Sequence, residues 1–372
     1  MMIYFLVNNT YQLYDARLHL STFQSSGFRV GLLEVPHSLE NPNHSGFDVI
    51  YSFNPFQYKN FIRCWFNALS LRRILDQKIA PSKDDVLFLY TEYEPFNQLI
   101  ATRFKNAGAR VYLIEDGGFA TYVPFRMVLS EPLTIKERMQ EIVARACPGI
   151  FGLRFHKMNG IVFPWMKDAL LDGVCLYRPV KIARRIDAIL IKRPVSVSLN
   201  CIQDTVIFLN ECIYDHYQST EKYLSGLDLI VRSLCNGFSV VYFKFHPREL
   251  AEWRYKIQQE VLCRYKKLII IQENVGIESV IEQYRPEVVA SYFSAALLNL
   301  QEKGVEPLYL YHLIEELRDQ PVYKIVTSIL EDWGYRFPPD FSSVHSGYKS
   351  GIPFDKFNQG AISLLELVRE YE

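Results

Sequence analysis

Short runs of apolar, β-branched and aromatic residues recur along the 372-residue chain, separated by longer stretches whose apolar positions fall at helical spacing. Met2–Val7 is such a run; a polar turn (Asn8, Asn9, Thr10) follows, then a helix-like segment, Tyr11–Phe23. Phe28–Leu33 comes after Gly27, Val86–Tyr90 after the charged loop Lys83-Asp84-Asp85, and Val111–Ile114 after Gly108-Ala109-Arg110. Each run has strand length, and most end in a polar or glycine turn. Alternation of this kind predicts βα units around a parallel sheet. The rhythm resumes at Thr205–Leu209 and continues through Val240–Phe245, Leu268–Ile271, Val288–Ser291 and Leu308–Tyr311, with helix-like Thr220–Cys235 and Gly276–Tyr284 between them. The last stretch, Phe357–Tyr371, is amphipathic and is expected to pack back on the first half.

Between about residues 125 and 200 the rhythm breaks. Arg154–Arg193 holds nine basic residues (Arg154, Lys157, Lys167, Arg178, Lys181, Arg184, Arg185, Lys192, Arg193) against three acids (Asp168, Asp172, Asp187), punctuated by Pro164, Pro179 and Pro194. The stretch reads as a linker between two α/β halves. The expected divisions are 1–180, which carries the basic stretch, 181–356, and a C-terminal helix over 357–372. The linker's cations are interleaved with Phe155, Val162, Phe163, Trp165 and Ile189–Ile191. That pattern suits a solvated basic face, a groove for a negatively charged glycan, or peripheral contact with an anionic inner membrane leaflet.

Charge and cysteine usage narrow the classes. Lys+Arg (41) equals Asp+Glu (41), which argues against a nucleic-acid partner held along its phosphates. The seven cysteines are odd in number, widely spaced and without a C-x-x-C, as in a cytoplasmic protein with reduced thiols. The opening MMIYFLVNNTYQL has no basic n-region, and no run of 18 apolar residues predicts a membrane-spanning helix. No P-loop, G-x-G-x-x-G, G-x-S-x-G or D-x-D occurs; the nearest to the last is Glu92-Tyr93-Glu94. No metal and no cofactor is expected.

Three segments carry candidate chemistry. Glu115 and Asp116 end the apolar run Val111–Ile114 and precede Gly117 and Gly118. The carboxyl edge of an open α/β sheet is where ligands bind, glycine permits close approach, and adjacent carboxylates raise one pKa by mutual repulsion, which suits a general base. His246 ends a second run, with Pro247 fixing the turn and Lys244 and Arg248 beside it, a set able to donate hydrogen bonds to a phosphate. Ser291 and Ser294 close a third run before a helix start, where free N–H groups favour an anion. Each also has a plain structural reading: an acidic turn, a His-Pro turn, a helix cap.

The order of these motifs, [D/E]-[D/E]-G (Glu115-Asp116-Gly117), then H-P (His246-Pro247), then a Ser-rich motif (Ser291, Ser294), resembles the bacterial GT-B sialyltransferases and polysialyltransferases. Val7–Leu13, with Thr10 and Gln12, is similar to that group's first strand and turn, and Gly276–Val280 to its ribose-holding segment. Here the Ser motif is split by Tyr292 and Phe293. The resemblance implies two Rossmann-like domains facing across a cleft. It also implies an inverting, metal-independent transfer of sialic acid from CMP-Neu5Ac to a glycan hydroxyl in capsule or lipooligosaccharide synthesis. By the same carry-over Glu115 is the general base, Asp116 shapes it, and His246 stabilises the departing CMP. Ser291 and Ser294 bind the phosphate and Glu278 the ribose. Asn210, Lys244 and Pro247 join the donor side; Thr10, Gln12 and Gly117 stand on the acceptor side. Three alternatives stay open: a CMP-Kdo, legionaminic or pseudaminic donor; a non-catalytic nucleotide-sugar-binding scaffold; and a UDP-sugar epimerase of the same fold.

Overall fold

The computed structural model of the protein describes residues 1–38, 44–54, 61–116, 122, 132–146, 154–158, 161–180, 186–194, 198–272, 276–294, 296–300, 303–352 and 357–370. The chain divides into two compact units. The first comprises Met1–Asp116, Pro124–Pro194 and Phe357–Glu372; the second comprises Gly117–Val123 and Val195–Lys356.

The first unit is built on a sheet of β1 (Met2–Asn9), β2 (Arg29–Ser38), β3 (Val49–Ser52), β4 (Val86–Leu89), β5 (Arg110–Ile114), β8 (Gly173–Leu176) and β9 (Ala188–Leu190). Its order is β3-β2-β1-β4-β5-β8-β9, and every described pairing is parallel. Ile3–Val7 is buried without a break because helices cover both faces of a central parallel strand, which is why its sequence is a continuous apolar run. Between them, β6 (Arg154–Met158) and β7 (Ile161–Trp165) form an antiparallel hairpin.

The second unit repeats the plan with β10 (Ile202–Leu209), β11 (Val240–Lys244), β12 (Leu268–Ile271), β13 (Pro286–Ser291) and β14 (Glu306–Tyr309), ordered β12-β11-β10-β13-β14 and parallel throughout. In both units the first five strands therefore take the order third, second, first, fourth, fifth. The winding reverses between the first and fourth strands, and the carboxyl edge at that reversal is where an open α/β sheet leaves a crevice for a ligand.

The supposed linker is corrected. Gly173–Leu176 is fully buried and pairs with β5, and Ala188–Leu190 pairs with β8, so the first unit runs to Pro194 and past residue 180. Nor is its charge one solvated face. Arg178 is buried against Glu115, Arg193 reaches Asp15, and Lys157 pairs with Glu137 at 3.0 Å. Lys181, Arg184 and Arg185 lie outside the described residues. The ground for membrane or glycan contact along this stretch is weakened accordingly.

The C-terminal segment joins the first unit. Ile362 bridges Ile191, Ser363 and Glu366 form a capping box, and the short helix Leu364–Arg369 buries Leu364, Leu367 and Val368 among Phe5, Phe23 and Tyr177.

Candidate active site

At the switch point of the first sheet, the ends of β1, β4 and β5 bring a polar cluster together. The helix α1 (Thr10–Ser25) starts on Asn9, whose side chain accepts the Gln12 N–H at 2.9 Å. That cap fixes buried Gln12, whose Nε2 donates to Thr91 Oγ1 and to Asp116 Oδ1, each at 2.6 Å. Asn8 and Asn97 exchange side-chain hydrogen bonds beneath it, at 2.7 and 3.3 Å. Asp116 is part-buried, and burial pushes its pKa up to about 7, against hydrogen bonds from Gln12, Asn9 and Thr91 that favour the ionised form. The neighbouring charge that contributes is Asp15. The mutual repulsion with Glu115 expected from the sequence is therefore not the main cause.

Glu115 stands differently. It is fully buried, its Oε1 accepts from Arg178 Nη1 at 2.9 Å, and its Oε2 accepts from the Tyr177 N–H at 2.9 Å. Both oxygens are engaged by groups that follow β8, so this carboxylate ties β5 to β8. That arrangement suits a structural anchor better than a base exposed to a substrate hydroxyl. Thr10, expected on the acceptor side, is exposed at the helix start, and Gly117 lies outside the described residues.

Along the carboxyl edge of the second sheet, the register aligns Leu209, Lys244, Ile271, Ser291 and Tyr309 in one row. Lys244 is buried. Half-buried His246 accepts the Arg248 N–H on Nδ1 at 3.1 Å, so a neutral ring carries its proton on Nε2. Burial lowers its pKa, and the cations Arg248, Arg254 and Lys244 lower it further. A neutral imidazole with one N–H to donate, set among three cations, is suited to an anion. Pro247 is exposed beside it.

The other donor-side candidates divide. Glu278 lies in the first turn of the helix Ile277–Tyr284, after β12 and so on the same sheet edge. Asn210 is buried and committed to its own unit, with Nδ2 on Glu249 Oε2 at 2.9 Å and Tyr223 at 3.3 Å. Ser291 is fully buried and gives its hydroxyl proton to the Leu209 carbonyl at 2.9 Å, which ties it to the neighbouring strand. Ser294 precedes the described helical residues Leu297–Leu300, and the Leu297 N–H meets the Ser294 carbonyl at 3.2 Å.

Two groups escaped the sequence reading. Glu211 follows Asn210 at the second sheet's switch point, accepts the Phe293 N–H at 3.1 Å, and has its pKa pushed up to about 7 by burial. Its signal was available, a carboxyl just past an apolar strand, but its partner, Phe293, follows the distant strand β13. The second group centres on buried Asp15. It accepts from Tyr177 Oη at 2.8 Å, Tyr90 Oη at 3.0 Å and Arg193 Nη2 at 3.1 Å, while burial pushes nearby His19 down to about 4. Helical phase does not announce these partners.

Two parallel-sheet units of this topology, each with its polar residues gathered at the switch point, make the chain an α/β protein of the GT-B class. In fold it is similar to UDP-GlcNAc 2-epimerase from Methanocaldococcus jannaschii (TM-score 0.54, 9% identity, 100% of each chain covered) and to the Neisseria meningitidis UDP-GlcNAc 2-epimerase bound to UDP-GlcNAc (TM-score 0.52, 11% identity, 100% of each chain). No curated protein sequence matches it significantly. Residues 32–302 match the alpha-2,8-polysialyltransferase (POLYST) family, and the chain belongs to that family. It is an enzyme of glycosyl transfer of the sialyltransferase type. Among the described residues no helix is long and apolar enough to cross a membrane, and Cys175, Cys201, Cys212, Cys235 and Cys263 are free.

Proposed function

We propose that the protein transfers a sialic acid from CMP-Neu5Ac to a glycan hydroxyl by single displacement with inversion, without a metal. The acceptor oxygen attacks the anomeric carbon as the bond to the CMP phosphate breaks. The acceptor proton passes to a carboxylate, and CMP departs as an anion. Membership of the family favours a sialyl-terminated acceptor and an α-2,8 bond.

The observation that carries this reading is His246. Its Nδ1 is occupied by the Arg248 N–H, and its ring is kept neutral by burial and surrounding cations. An Nε2–H donor, with Lys244, Arg248 and Arg254 supplying positive field, stabilises the charge that grows on a leaving phosphate, the role a cation plays elsewhere. For the base, the geometry favours Asp116 over Glu115. A carboxyl titrating near 7 is well matched to proton abstraction at neutral pH, whereas Glu115 is bound to Arg178 and the Tyr177 N–H. Glu278 is the group proposed for the ribose.

The test is incubation with CMP-Neu5Ac, CMP-Kdo and UDP-GlcNAc, each with and without a sialyl-terminated oligosaccharide, reading nucleotide release and product mass. Acceptor-dependent release of CMP from CMP-Neu5Ac with a one-sialic-acid mass increase is expected. Preference for CMP-Kdo would change the donor. Conversion of UDP-GlcNAc alone would restore the epimerase reading, and no turnover with binding intact would restore the scaffold.

A further inference from the structure

The helix α2 (Phe61–Ile74) wears part of its apolar surface on the outside. It holds the protein through Ala68 and Leu71, both buried, while Ile62 (70% exposed), Trp65 (41%), Phe66 (63%) and Leu69 (38%) face solvent. Positions 62, 65, 66 and 69 recur at i, i+3, i+4 and i+7, so they form one continuous stripe. The helix contains Arg63, Arg72 and Arg73 and no acidic residue. The nearest carboxylate along the chain, Asp76, is taken up by Arg103 at 2.9 Å and lies 4.0 Å from Arg72. The helix Ile135–Ala146 of the same unit repeats the pattern, with Ile135 (85%), Met139 (54%) and Ile142 (58%) exposed beside Lys136 and Arg138. Its acids, Glu137 and Glu141, are paired with Lys157 and Arg145. Half of the exposed large apolar side chains among the described residues lie on these two helices.

We infer that α2 docks the first unit on an anionic lipid surface, with Ile62, Trp65, Phe66 and Leu69 entering the boundary between headgroups and acyl chains and the arginines meeting lipid phosphates. Bulky residues that include a tryptophan, flanked by arginine with no acid on the element, are the composition of an interfacial helix. The charge complementarity selects anionic lipid over a second copy of the chain, because two such helices would bring arginines against arginines. This site is separate from the basic stretch Arg154–Arg193 and does not depend on the transfer chemistry proposed above.

The test is sedimentation of the full chain with POPC vesicles and with vesicles of equal POPC and POPG. Binding is expected on the anionic vesicles and about a hundredfold weaker on POPC, the combined effect of three surface cations. Phe66→Glu should weaken anionic-vesicle binding at least tenfold, and Arg72→Ala with Arg73→Ala about twentyfold. Because these side chains are exposed, the variants should melt with the wild type. Three results would overturn the inference: no binding to anionic vesicles, binding that Phe66→Glu leaves unchanged, or a lipid-free dimer that Phe66→Glu dissociates.

Discussion

Substituting Glu115 by Gln separates the two carboxylates at the end of β5. Gln matches the volume, but its carbonyl can accept from only one of the two donors now satisfied, Arg178 Nη1 and the Tyr177 N–H, each at 2.9 Å. Its amide turns an N–H toward the other. Arg178 keeps its charge with no exposure to water, and removing one partner of such a buried pair costs about 3–5 kcal/mol. For a unit of this size each kcal/mol lowers Tm by roughly 2–4 °C, so a fall of about 10 °C is expected. Asp116→Asn should behave in the opposite way. It removes a carboxylate that burial already disfavours and keeps a carbonyl for the Gln12 amide, so Tm should hold or rise while turnover drops about 10²–10⁴-fold for loss of a general base. The assays are scanning calorimetry on each variant, CMP affinity by titration, and initial rates of CMP release well below either Tm. A Glu115→Gln variant that melts with the wild type yet is inactive, together with an active Asp116→Asn, would refute this reasoning and return the base to Glu115, as the family resemblance implies.

The same groups set the pH dependence. Asp116 must be ionised to accept a proton, so turnover should rise through about pH 7. Its folded pKa lies above its unfolded one, so its contribution to stability is full below about pH 4 and is lost as pH rises through about 7; Asp116→Asn should therefore gain stability over wild type at pH 8 and lose that margin at pH 4. His246→Ala should lower turnover about 10²–10³-fold and weaken CMP, and near wild-type rates would reduce His246-Pro247 to a turn. Glu211 ionises near pH 7 beside the Phe293 N–H, so CMP affinity should fall more steeply from pH 6 to 8 in wild type than in Glu211→Gln; parallel profiles would remove Glu211 from the donor site. Activity should persist in EDTA, and loss restored by Mg²⁺ or Mn²⁺ would show that a metal does what we assign to His246 and its neighbouring cations.

The α/β class and most of the strands were legible in the chain itself. A central parallel strand is covered on both faces, so Ile3–Val7, Val86–Leu89, Val206–Leu209 and Val288–Ala290 read as unbroken apolar runs. Polar residues that follow such runs mark the sheet's carboxyl edge, which is how Asp116 and His246 were found. The short strands Gly173–Leu176 and Ala188–Leu190 were hidden, because the basic residues around them looked like solvated linker. Only the fold decides that Arg178 turns inward to Glu115, 63 positions away, and Arg193 to Asp15, 178 positions away. An isolated charge in a sequence carries no record of the partner that a sheet will bring to it, so neither the anchoring of Glu115 nor the burial that raises Asp116 could be read in advance. The stripe on α2 has the same limit. Apolar residues at helical spacing look alike whether they meet a core or water, and the packing of Ala68 and Leu71 alone determines that Trp65 and Phe66 face outward.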